Sequence, residues 1–236
     1  MTWSIIARDS ATGQFGIAVA TKFFAVGARV PHVAAGFGAV ATQALVNCYY
    51  GIDGVRMLRE GKSPRDIVAA LLAGDDGRES RQLHVMDAHG QIAAHTGKDC
   101  VDWCGHLPGD GFSIAGNMLA GPRVLEDTAK TYVANKSLPF AQRLVVAMQA
   151  GEAAGGDKRG KQSAALLIHD TEEWSALDLR VDDHAEPLAE LARLEAVSRE
   201  RWTEFRKFLP TRQNPAGITD RATIEAGIAA ASAETA

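Results

Sequence analysis

Over the first part of the chain, apolar residues fall in short runs rather than long helical stripes. Thr2–Arg8 and Phe15–Thr21 are two such runs, and the intervening Asp9-Ser-Ala-Thr-Gly-Gln14 carries the Gly and Ser of a hairpin loop. If Asp9 pairs with Gln14, the same register carried along the hairpin sets Thr2 opposite Thr21 and beside Lys22. Residues 30–35 and 38–42 read as two more strands. Residues 51–60 and 64–72 then show helical spacing, with Ser63 as N-cap and Pro64 in the first helical position. Arg81–Asp87 and 91–96 read as strands around a turn at Ala88-His-Gly90, and 112–117 as another. A second helix pair is predicted over 122–134 and 139–150, and a closing strand pair at Ser163–His169 and 174–181. Strands apolar on both faces need cover on both faces. With the helices segregated in pairs, the economical arrangement is an α+β fold with two stacked antiparallel sheets between helical layers.

From Pro187 a helical pattern carries Leu188, Leu191, Leu194, Val197, Trp202, Phe205 and Phe208 as far as Pro210. Beyond Pro215 the Ala-rich residues have few large apolar groups, which predicts a weak helix with a frayed end. The expected organisation is a domain over 1–185 and a C-terminal helical extension and tail over 186–236.

Composition narrows the class. With 236 residues, 46% of them hydrophobic, the chain can bury one large core. A net charge of -4 with bases scattered among acids leaves no footprint for nucleic acid and points to a small-molecule partner. Arg8 and Asp9 interrupt any signal-peptide core, and no apolar run is long enough to span a bilayer, so a cytoplasmic protein without membrane contact is expected. Three cysteines, an odd number, argue for reduced thiols rather than a disulfide scaffold. The apolar C-terminal helix makes a homodimer the expected assembly.

The densest chemistry lies in residues 155–163, Gly-Gly-Asp-Lys-Arg-Gly-Lys-Gln-Ser. Gly155, Gly160 and Lys161 fit the phosphate loop G-x-x-x-x-G-K-[ST], but Gln162 stands where a metal-binding hydroxyl belongs. The order is also inverted, since this loop leaves a helix and enters a strand, whereas a phosphate loop opens a helix onto the anion. It reads better as a site wall near Thr2. Thr2 itself is small enough for Met1 to be trimmed, which would leave an α-amine and a hydroxyl on one residue, base and nucleophile together. An ammonium at Lys22 would favour the neutral amine. Ser4 shares the face of Thr2 and is the reserve nucleophile.

Several segments carry a family resemblance: Ile6-Ala-Arg-Asp9, Thr21-Lys-Phe-Phe-Ala-Val-Gly27, Gly38-Ala-Val-Ala-Thr-Gln43 with Asn47, Arg81-Gln82, His95-Thr-Gly97, Gly116-Asn117, residues 155–164 and Leu179-Arg-Val-Asp-Asp-His184. With the strand beginning at Thr2, they resemble the N-terminal-nucleophile (Ntn) hydrolases, and more closely the bacterial Ntn-hydrolase-like family DUF1028, over roughly residues 2 to 195. The resemblance implies a four-layer αββα sandwich and hydrolysis of a C–N amide-type bond, and it names no substrate.

Within this reading Thr2 is the nucleophile, Lys22 tunes its amine, and Asp157 and Ser163 orient that amine or bind substrate. The neutral amides Asn117, Gln43 and Asn47 are candidate donors to an oxyanion. Arg159 suits a substrate carboxylate, and Gln162 and His95 complete the substrate-binding candidates. The expected activity is an amidohydrolase acting on a small amide or ureide, with neither cofactor nor metal. A non-catalytic metabolite- or partner-binding module on the same fold is the alternative. A third reading, a zinc hydrolase, would use His95, Cys100, Cys104 and His106, although H-x4-C-x3-C-x-H lacks the usual paired spacing. The Asp182-Asp-His184 cluster reads as an anchor for the C-terminal helix, with Asp183 as its cap.

Overall fold

A computed structural model of the chain describes residues 2–234, with side chains described to residue 231. The chain divides into two compact units, Met1–Leu191 and Ala192–Ala236. In the first, the described strands form two antiparallel sheets. The larger contains β1 (Thr2–Arg8), β2 (Phe15–Thr21), β7 (Trp103–Gly109), β8 (Phe112–Leu119), β9 (Ser163–His169) and β10 (Leu177–Val181), in the order β10-β9-β2-β1-β8-β7. The smaller runs β3-β4-β5-β6, from Pro31–Ala34, Gly38–Ala44, Arg81–Asp87 and Ile92–Thr96. Helices α1 (Cys48–Arg59) and α2 (Pro64–Ala73) cover the outer face of the four-stranded sheet, and α3 (Arg123–Ala134) and α4 (Phe140–Ala153) that of the six-stranded one. The unit is a four-layer αββα sandwich.

Alternation along the strands builds each layer. Between the sheets, Ile6, Phe15, Ile17 and Val19 meet Ala39, Ala41 and Met86, bulky side chains on one sheet against mostly small ones on the other. Val40, Leu83 and Val85 point the opposite way, onto Leu58, Ile67 and Leu71 of α1 and α2. Behind the six-stranded sheet, the Phe112 and Tyr132 rings lie 5.2 Å apart. Gly16 lets α4 close in, since a Cβ there would sit 2.6 Å from Leu144. Every residue from Thr2 to Ala7 is buried, because β1 is central in its sheet and covered on both faces.

The hairpin has the expected register. The Asp9 N–H donates to the Gln14 carbonyl at 2.9 Å, and Trp3 pairs with Ala20. Ser63 caps α2 as read, accepting from the Asp66 N–H. One strand is absent from the sequence pattern, β7. Its Trp-Cys-Gly-His-Leu-Pro-Gly holds Gly105 and Pro108 and a register shift between Trp103 and Gly105, all tolerated because β7 is a sheet edge.

The helix read from Pro187 to Pro210 is broken. α5 (Pro187–Glu200) ends before Arg201, whose φ of -147 is not helical, and α6 (Trp202–Phe205) follows. In the second unit, Arg201 pairs with both carboxylate oxygens of Glu225 on α7 (Arg221–Glu234), and Asp220 accepts from the Thr223 N–H at 2.9 Å to cap α7. The weak helix expected after Pro215 is thus a capped, ion-paired one. The end of the expected fray lies outside the described residues. No helix among the described residues is long and apolar enough to cross a membrane.

Candidate active site

Thr2 opens β1 with its residue only 7% exposed. On one side it faces Asn117 across the β1–β8 ladder, and on the other its hydroxyl donates to the Thr21 hydroxyl at 3.2 Å. Its carbonyl accepts from Asn117 Nδ2 at 3.4 Å and Gln43 Nε2 at 3.5 Å. Both amides also donate to Gln82 Oε1, at 3.0 and 2.8 Å. Gln82 in turn donates through Nε2 to the Gly116 carbonyl at 2.8 Å and the Thr96 hydroxyl at 2.9 Å. Each amide spends one of its two protons on Gln82 and shares the other with the Thr2 carbonyl over a long contact. They position residue 2.

The network continues inward. Ser4 donates to Gln43 Oε1 at 2.7 Å and lies 2.9 Å from His84 Nε2, while His84 Nδ1 lies 2.9 Å from Ser113 Oγ. Gln43 must present its oxygen to Ser4, because its nitrogen faces Gln82. The single Ser4 proton is therefore spent, so His84 Nε2–H donates to Ser4 and Nδ1 accepts from Ser113. That polarity is the reverse of a base drawing a proton from serine, and it removes Ser4 as a reserve nucleophile. Burial pushes His84 down to about 3, so the ring is neutral.

A folded-state value below the unfolded 6.5 means that the unfolded chain binds more protons in between. Stability from this group is complete above about pH 6.5 and is lost as pH falls towards 3, at up to about 1.4 kcal/mol per unit. Denaturant melts of His84→Gln are expected to fall less steeply over that window than those of the wild type. Equal slopes would show that His84 does not govern it.

A cavity of about 400 Å³ opens beside Thr2, floored by Thr2, Thr21 and Gln43. Phe23, Phe24, Val26 and Val30 form one apolar wall, and the turn Ala44-Leu45-Val46 the other. Two guanidiniums reach it. Arg81 is bound to Asp75 at 3.0 Å and to the Leu45 carbonyl at 2.6 Å, whereas the Arg29 side chain, among the described residues, makes only a 3.5 Å bond to the Ala25 carbonyl. Asp75 also accepts from Tyr50 and Asn47, and these partners hold its carboxyl well below the usual range, with the Arg81 hydrogen bond the largest cause. Backbone strain concentrates here. Ala44 (φ 72) and Met118 (φ 54) directly follow the two positioning amides, and Ala25 (φ 53) stands in the chain between the wall residues Phe24 and Val26. Left-handed non-glycine residues cost about 1–2 kcal/mol each and collect at functional sites. The backbone N–H groups of Phe24 and Val46 have no partner among the described residues.

The other sequence candidates lie outside this cavity, although Arg159 lines a second one of about 360 Å³ with Phe23, Leu45 and Asn117. Lys22 Nζ donates to the Lys161 carbonyl at 3.1 Å, and Lys22 does not line the cavity. Asp157 accepts the Lys22 N–H at 2.6 Å and pairs with Arg159 at 3.2 Å. Ser163 donates to the Phe23 carbonyl and accepts from the Val26 N–H, at 2.5 and 3.2 Å. The Gln162 N–H donates to the Thr21 carbonyl and its side chain to Asp183, and since α5 opens at Pro187 Asp183 does not stand at its N-cap position. Residues 155–163 thus fasten segment 21–26 from behind and line a neighbouring cavity of about 100 Å³ with Trp3 and Thr21. Their glycines are needed there: Gly155 and Gly156 have φ of +116 and +47, and a Cβ on Gly156 would press on the Trp3 ring at 3.2 Å. Asn47 caps α1 through the Tyr49 N–H. His95 contacts the Arg78 carbonyl, His106 the Thr96 hydroxyl, and Cys100 and Cys104 separate backbone carbonyls. Among the described residues, no three His, Cys, Asp or Glu side chains converge to hold a metal ion. Met1 lies outside the described residues.

The first unit is thus an αββα sandwich with a strand-borne threonine at the floor of an apolar cavity that two guanidiniums reach. The chain belongs to DUF1028, a family of unknown function, which it matches over residues 2–191. A crystal structure of a DUF1028 protein from Silicibacter pomeroyi is 32% identical with a TM-score of 0.86, covering 93% of this chain and 96% of that one. The Anbu (ancestral β-subunit) protein from Yersinia bercovieri aligns over 83% of this chain and 94% of its own, with a TM-score of 0.43 and 11% identity. No curated protein matches the chain.

Proposed function

We propose that the protein is an Ntn-type amidohydrolase, cytoplasmic and dimeric, that cleaves a C–N bond of a small amide or ureide with Thr2 as N-terminal nucleophile. The observation that carries this is Thr2 itself: a hydroxyl at the floor of an apolar cavity, on a residue whose carbonyl two buried amides hold in place. With Met1 removed, the Thr2 amine takes the hydroxyl proton and Oγ1 bonds to the substrate carbonyl carbon. The amine then returns the proton to the leaving nitrogen as the C–N bond breaks, leaving an acyl ester on Thr2 that water hydrolyses by the reverse proton path. A free α-amine ordinarily titrates at about 7.7–8.0, and guanidiniums in the same cavity disfavour its protonated form. Arg29 takes the tuning role read for Lys22, since Arg81 is already paired with Asp75. The developing oxyanion is met by backbone donors, for which the N–H groups of Phe24 and Val46 are available.

The test is a panel of small amides and ureides assayed with wild type and Thr2→Ala side by side. Turnover of at least one compound by the wild type alone supports the reading. Turnover equal in both variants moves the chemistry off Thr2, and binding without any turnover favours a ligand-binding module on the same fold.

A further inference from the structure

The charge balance of the Thr2 cavity selects a substrate. Among the residues lining it none is acidic, and of its two cations Arg81 is neutralised by Asp75 at 3.0 Å. Arg29 has no carboxylate partner among the described residues and only the 3.5 Å bond to the Ala25 carbonyl, so its guanidinium keeps most of its hydrogen-bonding capacity. The cavity is otherwise apolar, and three of its residues, Phe23, Phe24 and Leu45, are 61%, 57% and 67% exposed without a ligand. Large exposed apolar groups around a cavity mark surface that a ligand covers. A polar amide alone would leave that apolar surface wet and make no use of Arg29, whose exposed guanidinium is otherwise met by solvent.

We infer that the site takes an anionic amphipathic amide, an N-acyl amino acid or a close relative. Arg29 grips its carboxylate, and the Phe23, Phe24 and Leu45 surface covers its acyl chain. The planar fork of arginine matches a carboxylate in two parallel hydrogen bonds, and the scissile amide between the two ends falls over Thr2. The placement of the amide rests on the hydrolase reading, but recognition of the two ends does not.

Binding and cleavage are therefore separable. Calorimetric titration of Thr2→Ala protein with N-hexanoylglycine and with its neutral analogue N-hexanoylglycinamide reads the anchor without turnover. The acid is expected to bind at least about tenfold more tightly, with the preference shrinking as salt is raised. In the Thr2→Ala, Arg29→Gln double variant the preference is expected to disappear while affinity for the neutral analogue stays within about twofold. Equal affinities in the Thr2→Ala protein, a preference that survives Arg29→Gln, or no binding of either probe at millimolar concentration would each overturn the anchor. If the acid binds preferentially yet the wild type leaves it intact, the anchor stands and the hydrolase reading fails for this substrate class.

Discussion

Thr2→Ala is expected to lower kcat/KM by at least about 10³-fold on any amide that the wild type cleaves, because it removes the atom that forms the covalent bond. Loss of fold is a poor alternative explanation. The hydroxyl bond to Thr21 is worth about 1 kcal/mol, and the substitution leaves the backbone pairing of β1 with β2 and β8 in place. Thr2→Ser restores a hydroxyl beside an amine and is expected to recover turnover. Steady-state kinetics of the three proteins, with melts run alongside, separate chemistry from stability. A Thr2→Ala protein as active as wild type would place the nucleophile elsewhere.

The second large effect belongs to Gln82, which touches no ligand-accessible surface and is fully buried. Its oxygen accepts from both amides that hold Thr2, and its nitrogen donates to Gly116 and Thr96. Gln82→Ala strands two buried amide donors, each at about 1–3 kcal/mol, so about 4 kcal/mol of stability is expected to go. In a unit of this size that is a fall in Tm of about 10 °C. The positions of Gln43 and Asn117 loosen with it, so activity at a temperature where the variant remains folded is expected to fall as well. A melt within about 1 kcal/mol of wild type would show that the amides re-pair with water or with each other.

The parts of the fold that sequence made legible are those ruled by local chemistry. Pairing Asp9 with Gln14 across the hairpin loop is the register that sets Thr2 against Thr21, and the structure has it. The apolar strands and the Ser63-Pro64 helix start were equally plain. Edge strand β7 was not, because a sheet edge accepts the Gly105 and Pro108 that sequence patterns count against a strand. Gln82 and His84 were harder still. A polar residue at alternate positions of a strand reads as a solvated face, and only the second sheet reveals that these two point into a buried seam with Gln43, Ser4 and Asn117. Residues 155–163 show a third limit. Their charges and glycines look catalytic in one dimension, yet in three they grip the backbone of residues 21–26, the segment that carries Phe23 and Phe24. Asn47 is the same case in miniature, a side chain able to bind substrate that caps a helix and steadies Asp75 instead.

Everything proposed for the chemistry requires that Thr2 carry a free amine. The most direct measurement is the intact mass of the active protein, with the first residue read by fragmentation. An N-terminal Thr2 nucleophile predicts that the active population begins at Thr2. Retention of Met1 throughout that population would contradict it.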